Sequence, residues 1–404
     1  MADKKDRVIA IDYFRGLAML AVILNHGAVF TYPYTYLVGE GRLWTGAAEM
    51  FFLLSGITLW IVRGDKLAND FKNVLIRSWK RAVSIYALSI IIAILSLSIA
   101  VFLTARNLPV DTPQAIPIAS LGKVVLDMLM LKYSFGWASF LMYYSVYMLI
   151  APFALRALKT RAWFSVPILS ILIFGLTLWA PIKSSPYFYF LVWQVYFFLG
   201  LTIGRLRLPI LNTYKQLPQI WAKMVAASVV ATTGLVVLLS AFLTFKTDVI
   251  ASKVSGLHFV PGFTKSAILS PYSHQLSFNH LFQENRSGAL RPLAAVLVLA
   301  GVYVVYQRYK SLILKHTGWF VNAIGRNSLW VFAGQALAIP LLAALPMGRN
   351  VVSNSLMTAS LLYMMWLITK RDIMAMIFRG YVNQLSNKAA DLKYAFIYRL
   401  DSNN

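Results

Sequence analysis

The run Val8 to Phe30, VIAIDYFRGLAMLAVILNHGAVF, is long and apolar enough to cross a bilayer as one helix, yet it holds Asp12, Arg15 and His26. At about 100° per residue, the interval from Arg15 to His26 is close to three full turns, so both side chains leave the helix on nearly the same face. Their separation along the axis is roughly 16 Å. Asp12, Arg15, Met19, Val22 and His26 then form one stripe at helical spacing. An ionisable group near the centre of a spanning helix costs at least about 2.5 kcal/mol, so the stripe is expected to face a cavity or a partner and to mark function. The alternative is a structural Asp12–Arg15 ion pair with His26 snorkelling to the surface.

The pattern of apolar runs continues along the chain. After the first come Trp44 to Val62, a long run ending about Leu103, Trp137 to Leu155, Ala162 to Ala180, Tyr187 to Gly204, Trp221 to Phe245, Pro292 to Tyr306, Ser328 to Leu345 and Val352 to Ile368. With 59 % hydrophobic residues and a mean hydropathy of +0.66, this is an all-α, polytopic integral membrane bundle of about ten transmembrane helices. The piece Ala119 to Leu131 is short and carries Lys123 and Asp127, which suits an interfacial or re-entrant segment better than a span. The charged MADKKDR start leads into a helix too long for a signal peptide, so it is read as retained.

The net charge of +24 is spread over the connectors between apolar runs, as membrane topology requires and nucleic-acid binding does not. With ten spans, every strongly basic connector falls on one side: Lys4 to Arg7, Arg63 to Arg81, Arg156 to Arg161, Arg205 and Arg207, Arg308 to Lys315, and the tail from Lys370. By the positive-inside rule that side is the cytoplasm, and both termini lie there. Residues 1–380 are read as one transmembrane domain and 381–404 as a short cytoplasmic tail. No cysteine is present, which excludes disulfides, thiolate metal sites and thiol nucleophiles. The long connector before Pro292 holds His258, His274 and His280 among aromatic residues, but without metal-ligand spacing, so no metal site is expected.

Helix 1 would place Arg15 toward the cytoplasm and His26 toward the outer face. Helix 2 runs back, which brings Glu49 to within about a turn of the depth of His26. A carboxylate on one imidazole nitrogen raises the basicity of the other, so His26 with Glu49 is a candidate general base. On the cytoplasmic side Arg77, Lys80 and Arg81 share a helix face and, with Arg63, make a site for a polyphosphate head group or an anchor for anionic lipid. The deeper Arg15 favours the ligand, because a lipid head group needs no buried arginine. Gln194, Asn327, Ser328 and Gln335 are read as polar links between helices. Tyr34, Tyr36, Trp44, Trp137 and Tyr187 suit either sugar faces or interfacial anchoring.

DYFRGLAMLAVILNH, with ten residues between Arg15 and His26, resembles the first helix of the membrane acyltransferase-3 superfamily. GAAEMFFLLSGITLW resembles the second-helix motif of an acidic residue before FF-x-LSG, in a form closest to the OpgC branch that succinylates periplasmic glucans. WQVYFFLGLTIGR and IGRNSLWVFAGQAL resemble later helices of that branch, with Gln335 standing where a histidine is expected in many relatives. The resemblance implies a multi-pass enzyme of the inner cell membrane that moves an acetyl or succinyl group from cytoplasmic acyl-CoA to a hydroxyl of an extracytoplasmic glycan or glycolipid. It implies His26 as the catalytic residue, acting either as the base on a sugar hydroxyl or as the carrier of the acyl group, Arg15 in donor binding or helix geometry, and no tightly bound cofactor. A transporter or flippase of a lipid-linked saccharide is the competing expectation, since the same charges would line a pathway.

Overall fold

A computed structural model describes residues 2–27, 43–64, 70–109, 121–132, 134, 136–182, 184–245, 281–282, 288–345 and 350–371. The described chain is helical throughout its regular structure. We number the helices α1 (Ala2–His26), α2 (Ala47–Arg63), α3 (Phe71–Ala105), α4 (Leu121–Leu129), α5 (Ser139–Lys159), α6 (Ser165–Trp179), α7 (Phe188–Gln216), α8 (Gln219–Phe245), α9 (Arg291–Arg326), α10 (Ser328–Ala343) and α11 (Val351–Arg371), with a 3-10 turn at Gly136–Ala138. Tyr34, Tyr36, the three histidines before Pro292 and the 381–404 tail lie outside the described residues.

Among the described residues seven helices have the length and apolar character of a membrane span. This is a multi-pass membrane helical bundle. The shorter α2, α6 and α10, of 17, 15 and 16 residues, occupy the other apolar runs read from the sequence. Helix α4 has 9 residues and rises only about 14 Å, too little to cross a bilayer. Helices α3, α7 and α9 extend well beyond the sequence expectation, α7 running on through Arg205, Arg207 and Lys215 to Gln216. The basic segment ahead of the third run is the first part of α3, opened by Asp70, whose carboxylate accepts from the Asn73 backbone N–H at 3.0 Å. That bond and a second from the Asn73 side chain hold the Asp70 carboxyl below its ordinary range. Helix α9 continues through Arg308, Lys310 and Lys315 to Arg326, with a break in helical geometry at Tyr309. A basic connector and a basic helix face have the same composition, which is why the sequence placed these residues in loops.

The bundle is organised by two backbone approaches. Gly16 of α1 meets the Val321 carbonyl of α9, and Gly325 of α9 meets the Asp12 carbonyl of α1, so a side chain at either glycine would force the helices apart. Gly56 of α2 and Gly200 of α7 make the same approach next to Phe197 and Leu53. These contacts fix α1, α2, α7 and α9 as a tight centre. Phe52, Ile85, Leu88, Tyr147, Val195 and Phe197 fill the adjoining core. The outward faces of α6 and α8 carry Leu169, Leu172, Leu176, Leu235 and Leu238 exposed, as lipid contact requires.

Candidate active site

Helix α1 presents Met19 fully buried, Val22 buried, and Asp12, Arg15 and His26 half-buried. The stripe read from the sequence therefore faces the bundle. Its partner is α10, which carries Ser328 and Gln335 two turns apart on one face and runs parallel to α1. Arg15 donates from Nη2 to Ser328 Oγ at 2.7 Å, and its guanidinium sits 5.7 Å from the Phe51 ring centroid. The His26 Nδ1 lies 3.1 Å from Gln335 Oε1. The His26 ring is stacked on Trp137, with centroids 4.7 Å apart and planes at 20°, and meets the edge of Phe332 at 6.4 Å.

The expected His26–Glu49 pairing and the alternative Asp12–Arg15 ion pair are both corrected. Glu49 does not serve His26: its Oε1 accepts from Arg291 Nε at 2.6 Å, with both residues buried. Arg291 also donates from Nη1 to the carbonyls of Leu43 (2.8 Å) and Phe282 (3.2 Å), tying the start of α9 to the chain before α2. Depth alone suggested the His26–Glu49 pair; a buried carboxylate goes instead to the cation at its own depth. Asp12 likewise bonds Arg326 of α9 at 3.3 Å, which leaves the Arg15 guanidinium to Ser328 and the α1 stripe. The Arg15 Nε is buried and has no hydrogen-bond partner among the described residues.

The basic cluster assembles at the Arg15 end. Arg63 at the end of α2 donates to the Val74 carbonyl at 3.3 Å, and lies within electrostatic reach of Arg77, Arg81 and Tyr144. Arg81 in turn lies within reach of Tyr144 and Arg15. Arg77 and Arg81 are exposed, and Lys80 beside them is half-buried. Among the described residues no carboxylate forms an ion pair with Arg63, Arg77 or Arg81. Like charges gathered with no carboxylate partner among the described residues create a positive potential that attracts anions. Further cations surround it: Arg156 lies over Phe71 at 5.0 Å, Lys159 over Trp60 at 5.7 Å, and Arg205 donates to the Leu158 carbonyl.

Aromatic rings connect the two ends. From Arg15 the succession runs Phe51 to Phe140 (5.3 Å), Phe140 to Phe332 (5.5 Å), and Phe332 to His26. Tyr144 stands between Phe51 and the arginines, 6.3 Å from the Phe51 ring.

Residues 7–372 match the sequence model of the OpgC protein family. The chain belongs to that family. Neither a curated protein nor a solved structure gives a significant match. OpgC proteins are associated with glucan succinylation, so a site of this chain has to be judged by what it offers an acyl donor and a sugar hydroxyl. In this OpgC-family chain the sequence-derived residues divide into three groups: Arg15 and His26 on the α1 stripe, Arg63, Arg77, Lys80 and Arg81 at one end, and Glu49 in a separate buried pair. Ser328 and Gln335, expected as links between helices, touch the two α1 residues; their two-turn spacing was the signal. Gln194 is such a link, bonded twice to Ser170. Arg291 was placed in a connector, although the following Pro292 marks the first turn of a helix.

Proposed function

We propose that this OpgC-family protein is a membrane O-acyltransferase that moves an acetyl or succinyl group from cytoplasmic acyl-CoA to an extracytoplasmic glycan hydroxyl. The observation that carries the reading is the arrangement on α1: arginines without a carboxylate partner among the described residues gather at the Arg15 end, and His26 lies three turns away with α10 contacts at both positions. The donor's phosphates would take Arg63, Arg77 and Arg81 as charge-assisted partners, with Lys80 beside them. Its uncharged pantetheine arm would then pass Arg15, and the roughly 16 Å to His26 is within the reach of such an arm.

At His26 the imidazole takes the proton of the sugar hydroxyl as the sugar oxygen attacks the thioester carbonyl. The C–O bond forms, the C–S bond breaks, and the departing thiolate takes the proton from the imidazole. Trp137, stacked on His26, offers an aromatic surface beside the reacting hydroxyl. The seven long helices and the shorter apolar α2, α6 and α10 are read as ten crossings of the inner membrane with both termini cytoplasmic. The meeting of Arg63, Arg77, Arg156, Lys159 and Arg205 at one end supports that orientation.

Purified protein in detergent tests this directly when incubated with labelled succinyl-CoA or acetyl-CoA and a glucan acceptor. Label should pass to the glucan from one donor or both. Release of free acid at the same rate with and without glucan, and no labelled glucan, would reject the acyltransferase reading.

A further inference from the structure

Among the described residues two glutamines are buried, and they are held in opposite ways. Gln194 of α7 has both ends of its carboxamide satisfied by one residue of α6: its Oε1 accepts from Ser170 Oγ at 2.7 Å, and its Nε2 donates to the Ser170 carbonyl at 2.8 Å. That is how a glutamine joins two helices. Gln335 of α10, fully buried, uses only Oε1, toward His26 Nδ1, while its Nε2 is buried without a hydrogen-bond partner. An unsatisfied buried amide is a cost that packing alone does not repay, and such groups concentrate where a side chain serves something other than stability.

An amide oxygen can only accept, so a bond between Gln335 Oε1 and His26 Nδ1 requires the proton on Nδ1. The nitrogen left with a lone pair is Nε2. The ring is also held in orientation by Trp137 on one face and by Phe332, one turn before Gln335, at its edge. We infer that Gln335 is a positioning residue: it fixes His26 in the Nδ1–H tautomer and so makes Nε2 the proton acceptor for the sugar hydroxyl. This rests on the acyl-transfer reading above. Nε2 then takes the hydroxyl proton as the C–O bond forms and returns it to the thiolate as the C–S bond breaks. The ring ends in the tautomer in which it began, and no proton on Nδ1 moves. A neutral partner suits this cycle better than a carboxylate, because it orients the ring without fixing a positive charge on it.

The test uses full-length protein with 15N-labelled histidine in lipid, as wild type and as Gln335→Met and Gln335→Glu. Methionine fills a similar volume without an acceptor, whereas glutamate retains one. The His26 signals, identified by their loss in His26→Gln, should report Nδ1–H in the wild type and Gln335→Glu, and should move toward Nε2–H in Gln335→Met. Gln335→Met should lower kcat by about ten- to a hundredfold with the acyl-CoA KM unchanged, the range seen when a partner orienting a histidine is lost. Gln335→Glu should recover part of that loss, since it keeps the acceptor on Nδ1 but favours the charged ring. A wild-type protein that transfers acyl groups with its His26 proton on Nε2, or Gln335→Met turning over at the wild-type rate, would overturn the inference alone. Absence of acyl transfer by the wild-type protein would instead overturn the reading on which it rests.

Discussion

Arg291 reaches Glu49 at 2.6 Å across an interval of 242 positions, and both side chains are sealed from solvent. The pair fastens α9 to α2, and Arg291 carries the fastening on to the Leu43 and Phe282 carbonyls beside the stacked rings of Trp44 and Phe282. Removing one member of a buried pair leaves an uncompensated charge, at a cost of roughly 3 to 5 kcal/mol. Glu49→Ala and Arg291→Ala should each lower the thermal midpoint in detergent markedly. The double replacement by methionine should cost less than either single change, which a thermal-shift comparison of the three variants would check.

His26→Ala should reduce acyl transfer by about a hundredfold or more, because it removes the base from the reaction. Its folding should be unaffected, since His26 is half-buried and its neighbours Trp137 and Phe332 pack elsewhere as well. Turnover assays alongside size-exclusion profiles would separate loss of chemistry from loss of fold.

Arg77→Ala and Arg81→Ala should weaken donor binding without slowing saturated turnover. Both lie several turns from His26, so their contacts are common to the ground and transition states. A hydrogen bond to a charged group contributes about 1.5 to 3 kcal/mol, equivalent to a donor KM raised roughly ten- to a hundredfold. A normal donor KM in both variants would return the cluster to the role of an anionic-lipid anchor.

Ser328→Ala removes the acceptor that holds Arg15 Nη2. With Arg15 released, kcat should fall by about tenfold while the protein stays folded, because Asp12 keeps its own partner in Arg326. Arg15→Ala should be more severe and should raise the donor KM as well. Steady-state kinetics with varied acyl-CoA would distinguish the two.

The α1 stripe was legible in the sequence because helical periodicity fixes which residues share a face, and Arg15 and His26 do share one. The basic cluster was legible because lysine and arginine follow membrane topology. The partners were not. Gln335 and Ser328 reach α1 from more than 300 positions away, and a lone polar residue in an apolar helix carries no mark of what it meets. Glu49 was assigned to His26 because depth is all that a helix register provides, and its true partner stood in a segment that read as a loop. The α1–α9 contact through Gly16 and Gly325 was equally hidden, since a glycine in a helix does not say which backbone it admits.

On the proposed reaction an acyl group travels the length of α1 from the arginine end to His26, and so crosses the membrane. Vesicles containing the purified protein, with glucan sealed inside and labelled acyl-CoA supplied only outside, measure this directly. Labelled glucan should appear in the lumen with the wild-type protein and be almost absent with His26→Ala. Labelled glucan that forms only when donor and acceptor share one side of the membrane would contradict it.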